Sequence, residues 1–185
     1  MAGHLCPWWF SYAFDNPFRR LIHPPEAMLD PYANPGMKCL DLGCGRGYFS
    51  LGLARLVKPG GKVFALDQQK KMLSLLQKRA ARAGLDKWID TRQTSAAGLG
   101  LEDLSGQADF ALCFWMLHEV KGKADFLAQA AASLKPGGLM VIAEPKGHVS
   151  LVDFEQCLAM AARVGLEVKA RPAVALSRAA LLKKV

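Results

Sequence analysis

The residues best suited to chemistry begin at Asp41. The stretch Asp41-Leu42-Gly43-Cys44-Gly45-Arg46-Gly47 stands where an apolar run gives way to helical spacing. Its glycines allow backbone to approach a ligand closely in a tight turn. The spacing is G-x-G-x-G, and Tyr48 occupies the last position of the G-x-G-x-x-G dinucleotide fingerprint. Twenty-two residues after Gly45, Asp67 closes the run Val63-Phe64-Ala65-Leu66. A carboxylate there can accept both hydroxyls of a ribose, because successive strand ends of a doubly wound sheet open onto one crevice. The plainer alternative is a turn followed by a solvated acid. His118 follows the apolar run Ala108–Phe114, and Glu144 ends the run Leu139–Glu144 just before Pro145. His118 is either a general base for an acceptor that must lose a proton or a residue that starts a helix. Glu144 lies at a strand end that faces the crevice, or it pairs with Lys146 or Arg46; His148 is a further candidate for substrate contact.

These groups need a scaffold that brings strand ends together, and the spacing of apolar residues predicts one. Strands are expected at 38–42, 62–66, 88–91, 108–114 and 139–144, alternating with helices at 48–57, 69–83, 123–134 and 151–164. Lys58-Pro59-Gly60-Gly61 and Lys135-Pro136-Gly137-Gly138 read as two loops that each end a helix before a strand. Such alternation points to an α/β, doubly wound parallel sheet covered on both faces. Two strand-like pieces near 166–171 and 175–183 have no helix between them, so one of them is expected to run antiparallel.

Residues 1–36 differ from the rest. They hold Trp8, Trp9, Phe10, Tyr12, Phe14 and Phe18 together with six of the ten prolines, which permits only short helices such as 10–14 or 25–29. This stretch reads as an aromatic N-terminal arm on a main domain of residues 37–185. The net charge is +8, and all of it lies in residues 38–87, where eleven Lys/Arg face three acids. On the 69–83 segment, Lys71, Lys78 and Arg82 share one helical stripe and Met72, Leu76 and Ala80 the opposite one. No aromatic residues interleave with the basic ones, so nucleic acid is disfavoured as a partner, and a solvated face is the better reading. Five cysteines without a C-x-x-C pair do not build a disulfide framework or a zinc knuckle, and no metal is called for; His4-x-Cys6 remains open as a ligand pair. No apolar run reaches the ~18 residues of a membrane span. The first basic residue, Arg19, comes after the aromatic cluster rather than before it, unlike a secretory signal, so the expected setting is cytoplasmic.

The segments Asp41–Gly47, Asp67, Asp109–Val120 and Leu134–Glu144, in that order, resemble the class I S-adenosylmethionine-dependent methyltransferases. Within that class the chain looks like the small type 11 and quinone-methyltransferase-like group, over residues 37–185. The resemblance implies a Rossmann-like, seven-stranded, mostly parallel sheet with an antiparallel last strand. It also implies S-adenosylmethionine as cofactor and methyl transfer as the activity. Asp41, Gly43 and Gly45 would then surround the methionine end, Asp67 would hold the ribose hydroxyls, and Gln68 would lie beside the adenine. Ser95 and Ala96 stand where such enzymes offer Asp and a small residue to the adenine, which implies a backbone contact but not the side-chain one. Phe114 would offer backbone to the methionine amine.

A core without insertions leaves acceptor recognition to the arm and the loops. Trp8, Trp9, Tyr12 and Phe14 either line an apolar pocket as a lid over a small apolar or aromatic acceptor, or bury a helix against the sheet edge. His118 and Glu144 are the candidate catalytic residues. Two other readings stay open: an RNA- or anion-directed protein using the basic 38–87 surface, and a membrane-peripheral quinone or lipid methyltransferase whose arm lies in the interface.

Overall fold

In the computed structural model, residues 19–95 and 98–185 are described. Trp8, Trp9, Tyr12 and Phe14, the His4-x-Cys6 pair, the 10–14 helix and Ala96 lie outside the described residues. The chain divides at Gly100 into two units.

In the first unit, Lys38–Leu42 (β1) pairs in parallel with Lys62–Asp67 (β2), and β2 with Ile89–Gln93 (β3). The runs Cys39–Leu42 and Val63–Leu66 are buried at every position, as strands covered on both faces must be. Arg19–Ile22 (α1) and Pro25–Leu29 (α2) precede the sheet, with proline opening α2. Tyr48–Val57 (α3) buries most of its length. Gly52 within α3 has a packing reason: a Cβ there would come within 2.7 Å of the Pro25 ring. Arg55 of α3 binds Glu26 of α2 at 2.8 Å, which fastens the same contact. Lys70–Arg82 (α4) buries Met72, Leu76 and Ala80 and exposes Lys71, Lys78 and Arg82, so the two stripes expected from spacing are present.

In the second unit, Ala108–Phe114 (β4) runs parallel to Leu134–Pro145 (β5). Ser177–Lys184 (β7) pairs antiparallel with β5, and Leu166–Ala170 (β6) antiparallel with β7. Lys123–Ser133 (α5) and Leu151–Arg163 (α6) pack on each other. The sheet order is β3-β2-β1-β4-β5-β7-β6, which matches the expected doubly wound fold with its reversed last pair.

Two local expectations are corrected. Lys135-Pro136-Gly137-Gly138 does not form a loop before a strand; β5 already begins at Leu134 and runs through it. Leu134 pairs with Ala108 and Leu139 with Phe110, so an irregularity in the ladder absorbs the extra residues. Gly138 lies against the Ala108 carbonyl, which a Cβ would approach to 3.2 Å. The strand expected from Trp88 starts at Ile89 instead, because Asp86–Trp88 closes a 3-10 turn. Among the described residues, no helix is long and apolar enough to cross a membrane.

Candidate functional site

The turn after β1 is built by hydrogen bonds that leave its open side toward a ligand. The Leu66 carbonyl at the end of β2 accepts from the amides of Gly43 and Cys44, at 2.9 and 2.8 Å. Asp67 then binds the turn from above: Oδ2 accepts the Gly45 amide at 2.9 Å, and Oδ1 accepts the Gln69 amide at 2.8 Å. Each carboxylate oxygen retains acceptor capacity. Burial raises the Asp67 pKa above its ordinary value, while the two amide bonds oppose that shift. At Gly45 the backbone has φ +53°, and a Cβ would meet no atom of the described residues beyond its chain neighbours within 4 Å.

Asp41 is buried beneath this turn. Ser50 of α3 donates its hydroxyl to Oδ2 at 2.5 Å. Burial, reinforced by the charge of Asp67, pushes the Asp41 carboxyl up to about 6, against the opposing pull of Ser50 and Arg19. The Arg19 guanidinium lies 4.3 Å from the centre of the Tyr48 ring, and the Tyr48 hydroxyl donates to the His23 carbonyl at 2.9 Å. Two carboxylates desolvated within one turn call for a ligand that brings a cation and hydroxyl donors. S-adenosylmethionine, with its ammonium, sulfonium and ribose, fits that requirement.

The remaining candidates in this unit are less committed. Gln68 is exposed, and its carbonyl accepts from the Gln93 amide group at 3.1 Å. Ser95 exchanges backbone hydrogen bonds with Gly98. Cys44 is buried, and burial together with Asp41 and Asp67 raises its thiol pKa well above the ordinary value, which makes it a poor thiolate.

In the second unit, His118 and Glu144 meet directly. His118 Nδ1 lies 2.6 Å from Glu144 Oε2. Glu144 is 2% exposed and is not paired with Lys146 or Arg46, as one sequence-based alternative had it. Its Oε1 accepts from the amides of Met116 (3.2 Å) and Leu117 (3.0 Å), and its Oε2 from the amide of His118 (3.2 Å). Those three amides converge because Leu117–Glu119 forms a 3-10 turn. Trp115 turns the chain out of β4 with φ +55°, a conformation uncommon for a residue that has a Cβ. Its indole N–H donates to Ser177 Oγ at 2.8 Å, its amide to the Ala143 carbonyl at 2.8 Å, and its ring stacks on buried Phe114. His148 stands beside the pair, its ring centre 5.9 Å from that of His118.

Sequence reasoning found both acids and the histidine but missed their supports. Arg19 carried a weak signal as part of Arg19-Arg20. Trp115, Ser177 and the Met116–His118 amides carried none, since their roles depend on partners up to 62 residues away.

The Methyltransferase domain family model matches residues 40–142, more than half of the chain. A 37.1 kDa uncharacterized protein of transposon TN4556 from Streptomyces fradiae is 34% identical over 130 residues, covering 70% of this chain and 36% of that protein. A ubiquinone biosynthesis O-methyltransferase of Methylocella silvestris is 34% identical over 122 residues, 64% of this chain and 44% of its own length. The chain thus spans less than half the length of either relative. A solved SAM-dependent methyltransferase from Aquifex aeolicus superposes with a TM-score of 0.87 at 21% identity, covering 98% of this chain and 100% of that one, which is a likeness of fold. From the matched family model and the fold around the glycine turn, the chain belongs to the Methyltransferase domain family, among the class I S-adenosylmethionine-dependent methyltransferases.

Proposed function

We propose that this protein transfers a methyl group from S-adenosylmethionine to an oxygen of a small apolar or aromatic molecule. The observation that carries the reading is Asp67, whose carboxylate is fixed by the Gly45 and Gln69 amides with acceptor capacity left for two ribose hydroxyls. Asp41, Gly43 and Gly45 hold the methionine end, and Asp41 supplies the negative charge for its ammonium. Gln68 and the Ser95-Ala96 turn border the adenine, and the Phe114 backbone meets the amine. When bound, the cofactor supplies an electrophilic methyl group on a sulfonium. The protein supplies position, exclusion of water and, where the acceptor carries a proton, a base. His118 is that base, and Trp8, Trp9, Tyr12 and Phe14 of the 1–36 arm form the lid over the acceptor. The name of the Methylocella silvestris relative supports oxygen as the acceptor atom.

Calorimetry with S-adenosylmethionine, followed by a small-molecule extract screen with a labelled methyl group, tests the reading. Binding without any labelled product of low mass would remove the small-molecule acceptor, and no binding would remove the activity.

The state of Asp41 gives a prediction of two opposite signs. A carboxyl raised from 3.8 to about 6 favours the folded state below pH 3.8, and that contribution is lost as pH rises toward 6. Above pH 6 the ionised, buried group is a cost, of about 1–3 kcal/mol. Asp41→Asn, which keeps an acceptor for Ser50, therefore raises unfolding free energy at pH 8 by about that amount. The same change weakens cofactor binding at pH 8 and removes the loss of wild-type affinity expected below pH 6. Urea denaturation and calorimetry at pH 5 and pH 8 measure both effects.

A further inference from the structure

Glu144 is the one buried carboxylate among the described residues 101–185. Three backbone amides and the His118 ring engage both of its oxygens, so it has little left to offer a substrate. With three amide N–H groups already donating to it, this carboxylate acts as an acceptor toward the ring as well. In the neutral imidazole the proton must therefore sit on Nδ1, which leaves the Nε2 lone pair free to take a proton.

His118 also lines a groove of about 580 Å³, within the usual range of small-ligand sites. Its wall includes Glu119, Val120, Lys121, Lys123 and Met160. Val120 and Met160 offer apolar surface for a ring. Among the described residues, neither Lys121 nor Lys123 has a carboxylate at ion-pair distance. Glu119 is the only acid of the wall, and its Oε1 lies 4.0 Å from His118 Nε2. The two ammonium groups outweigh that single charge, so the groove favours an anion.

We propose that this groove receives a hydroxylated aromatic acid, with its anionic group toward Lys121 and Lys123 and its hydroxyl at His118 Nε2, and that Glu144 is the positioning residue which sets the tautomer. The proposal rests on the methyltransferase reading. As the acceptor oxygen gains the methyl group, its O–H bond breaks and the proton passes to Nε2. The electron pair of the broken carbon–sulfur bond stays on sulfur, and the imidazolium later returns its proton to water. His118 follows β4 and Glu144 lies near the end of β5, the carboxyl ends of two parallel strands, where ligands bind in open α/β sheets. The left-handed Trp115 that aims the turn is the kind of backbone strain found at working sites.

The charged groups facing His118 are Glu144 from β5, Glu119 from its own turn, Lys123 from α5 and, beside them, the His148 ring. The hydrogen bond to Glu144 and the two acidic charges raise the His118 pKa, against burial and Lys123. The base is thus lost as pH falls, and kcat/KM rises with pH through a midpoint above 6.5.

The decisive readout needs no acceptor. Two-dimensional NMR of the protein with 15N-labelled histidine should show His118 protonated on Nδ1 at pH 8, titrating above 6.5. A wild-type Nε2–H tautomer overturns the proposal, whatever the variants do. In Glu144→Gln the titration should shift to lower pH and the tautomer should reverse, and an unchanged tautomer overturns the role of Glu144. The acceptor class is tested with 3,4-dihydroxybenzoate against catechol, both with labelled cofactor. The acid should react at least tenfold faster by kcat/KM, and the ratio should fall toward one in the Lys121→Gln/Lys123→Gln double variant. Equal wild-type rates, or no product from either probe in a protein that binds the cofactor, overturn the acceptor class. His118→Gln should lower kcat by about 10²–10⁴-fold with the cofactor Kd unchanged, and an unchanged kcat would overturn the base. Absence of cofactor binding in the wild type would instead defeat the methyltransferase reading and leave the tautomer result standing.

Discussion

Asp67→Ala abolishes measurable cofactor binding, with a loss of at least 100-fold in S-adenosylmethionine affinity, or about 2.7 kcal/mol. Two losses add up to this. Hydrogen bonds to a charged acceptor are worth about 1.5–3 kcal/mol each, and both ribose hydroxyls lose theirs. The Gly45 and Gln69 amides also lose their acceptor, so the glycine turn keeps only its backbone bonds to the Leu66 carbonyl at the end of β2. Asp67→Asn separates the two effects. It keeps one oxygen for an amide but places a donor where the second amide now donates, so it should fall between wild type and alanine. Titration calorimetry on each variant decides the matter, and wild-type affinity in the alanine variant would end the cofactor assignment.

Gly47→Ala is expected to cost the fold about 2–5 kcal/mol, from a left-handed backbone at about 1–2 and overpacking at about 1–3. Gly47 has φ +80°, and a Cβ would lie 2.1 Å from Leu76 Cδ1. Leu76 is fully buried on α4, so a shift of its side chain must displace packed neighbours. Gly45→Ala is the matching control. Among the described residues, no atom beyond its chain neighbours lies within 4 Å of its Cβ position, so the positive φ is the penalty, and on the proposed reading the space toward the cofactor is filled. The first variant should therefore lose stability in urea, and the second should lose cofactor affinity with a smaller loss of stability. If the two variants behaved alike, the distinction between a packing glycine and a ligand-facing glycine would be wrong.

The parts of this molecule legible from sequence are those in which near neighbours in the chain act together. The apolar runs of β1 and β2, the stripes of α4 and the glycine turn all declare themselves within a dozen residues. Asp67 could be placed because the strand–turn–helix spacing puts two consecutive strand ends side by side. What escaped depended on partners far along the chain. Lys135-Pro136-Gly137-Gly138 carries the residues of a loop, yet the edge of β4 draws it into a strand through Ala108. Glu144 and His118 were each visible as candidates, but nothing local said that one would hold the other. That assignment needed the positions of three amides and an imidazole relative to a carboxylate 26 to 28 residues away.

The bond from the Trp115 indole to Ser177 has a consequence for how the protein matures during synthesis. The residues of the glycine turn and of Asp67, within 41–67, emerge early in the growing chain. The turn that carries His118 is fastened by a residue that leaves the ribosome some sixty positions later, at the start of β7. During synthesis the N-terminal part of a chain is available for folding first. The turn that carries His118 can therefore gain its Trp115–Ser177 bond only after the start of β7 has emerged.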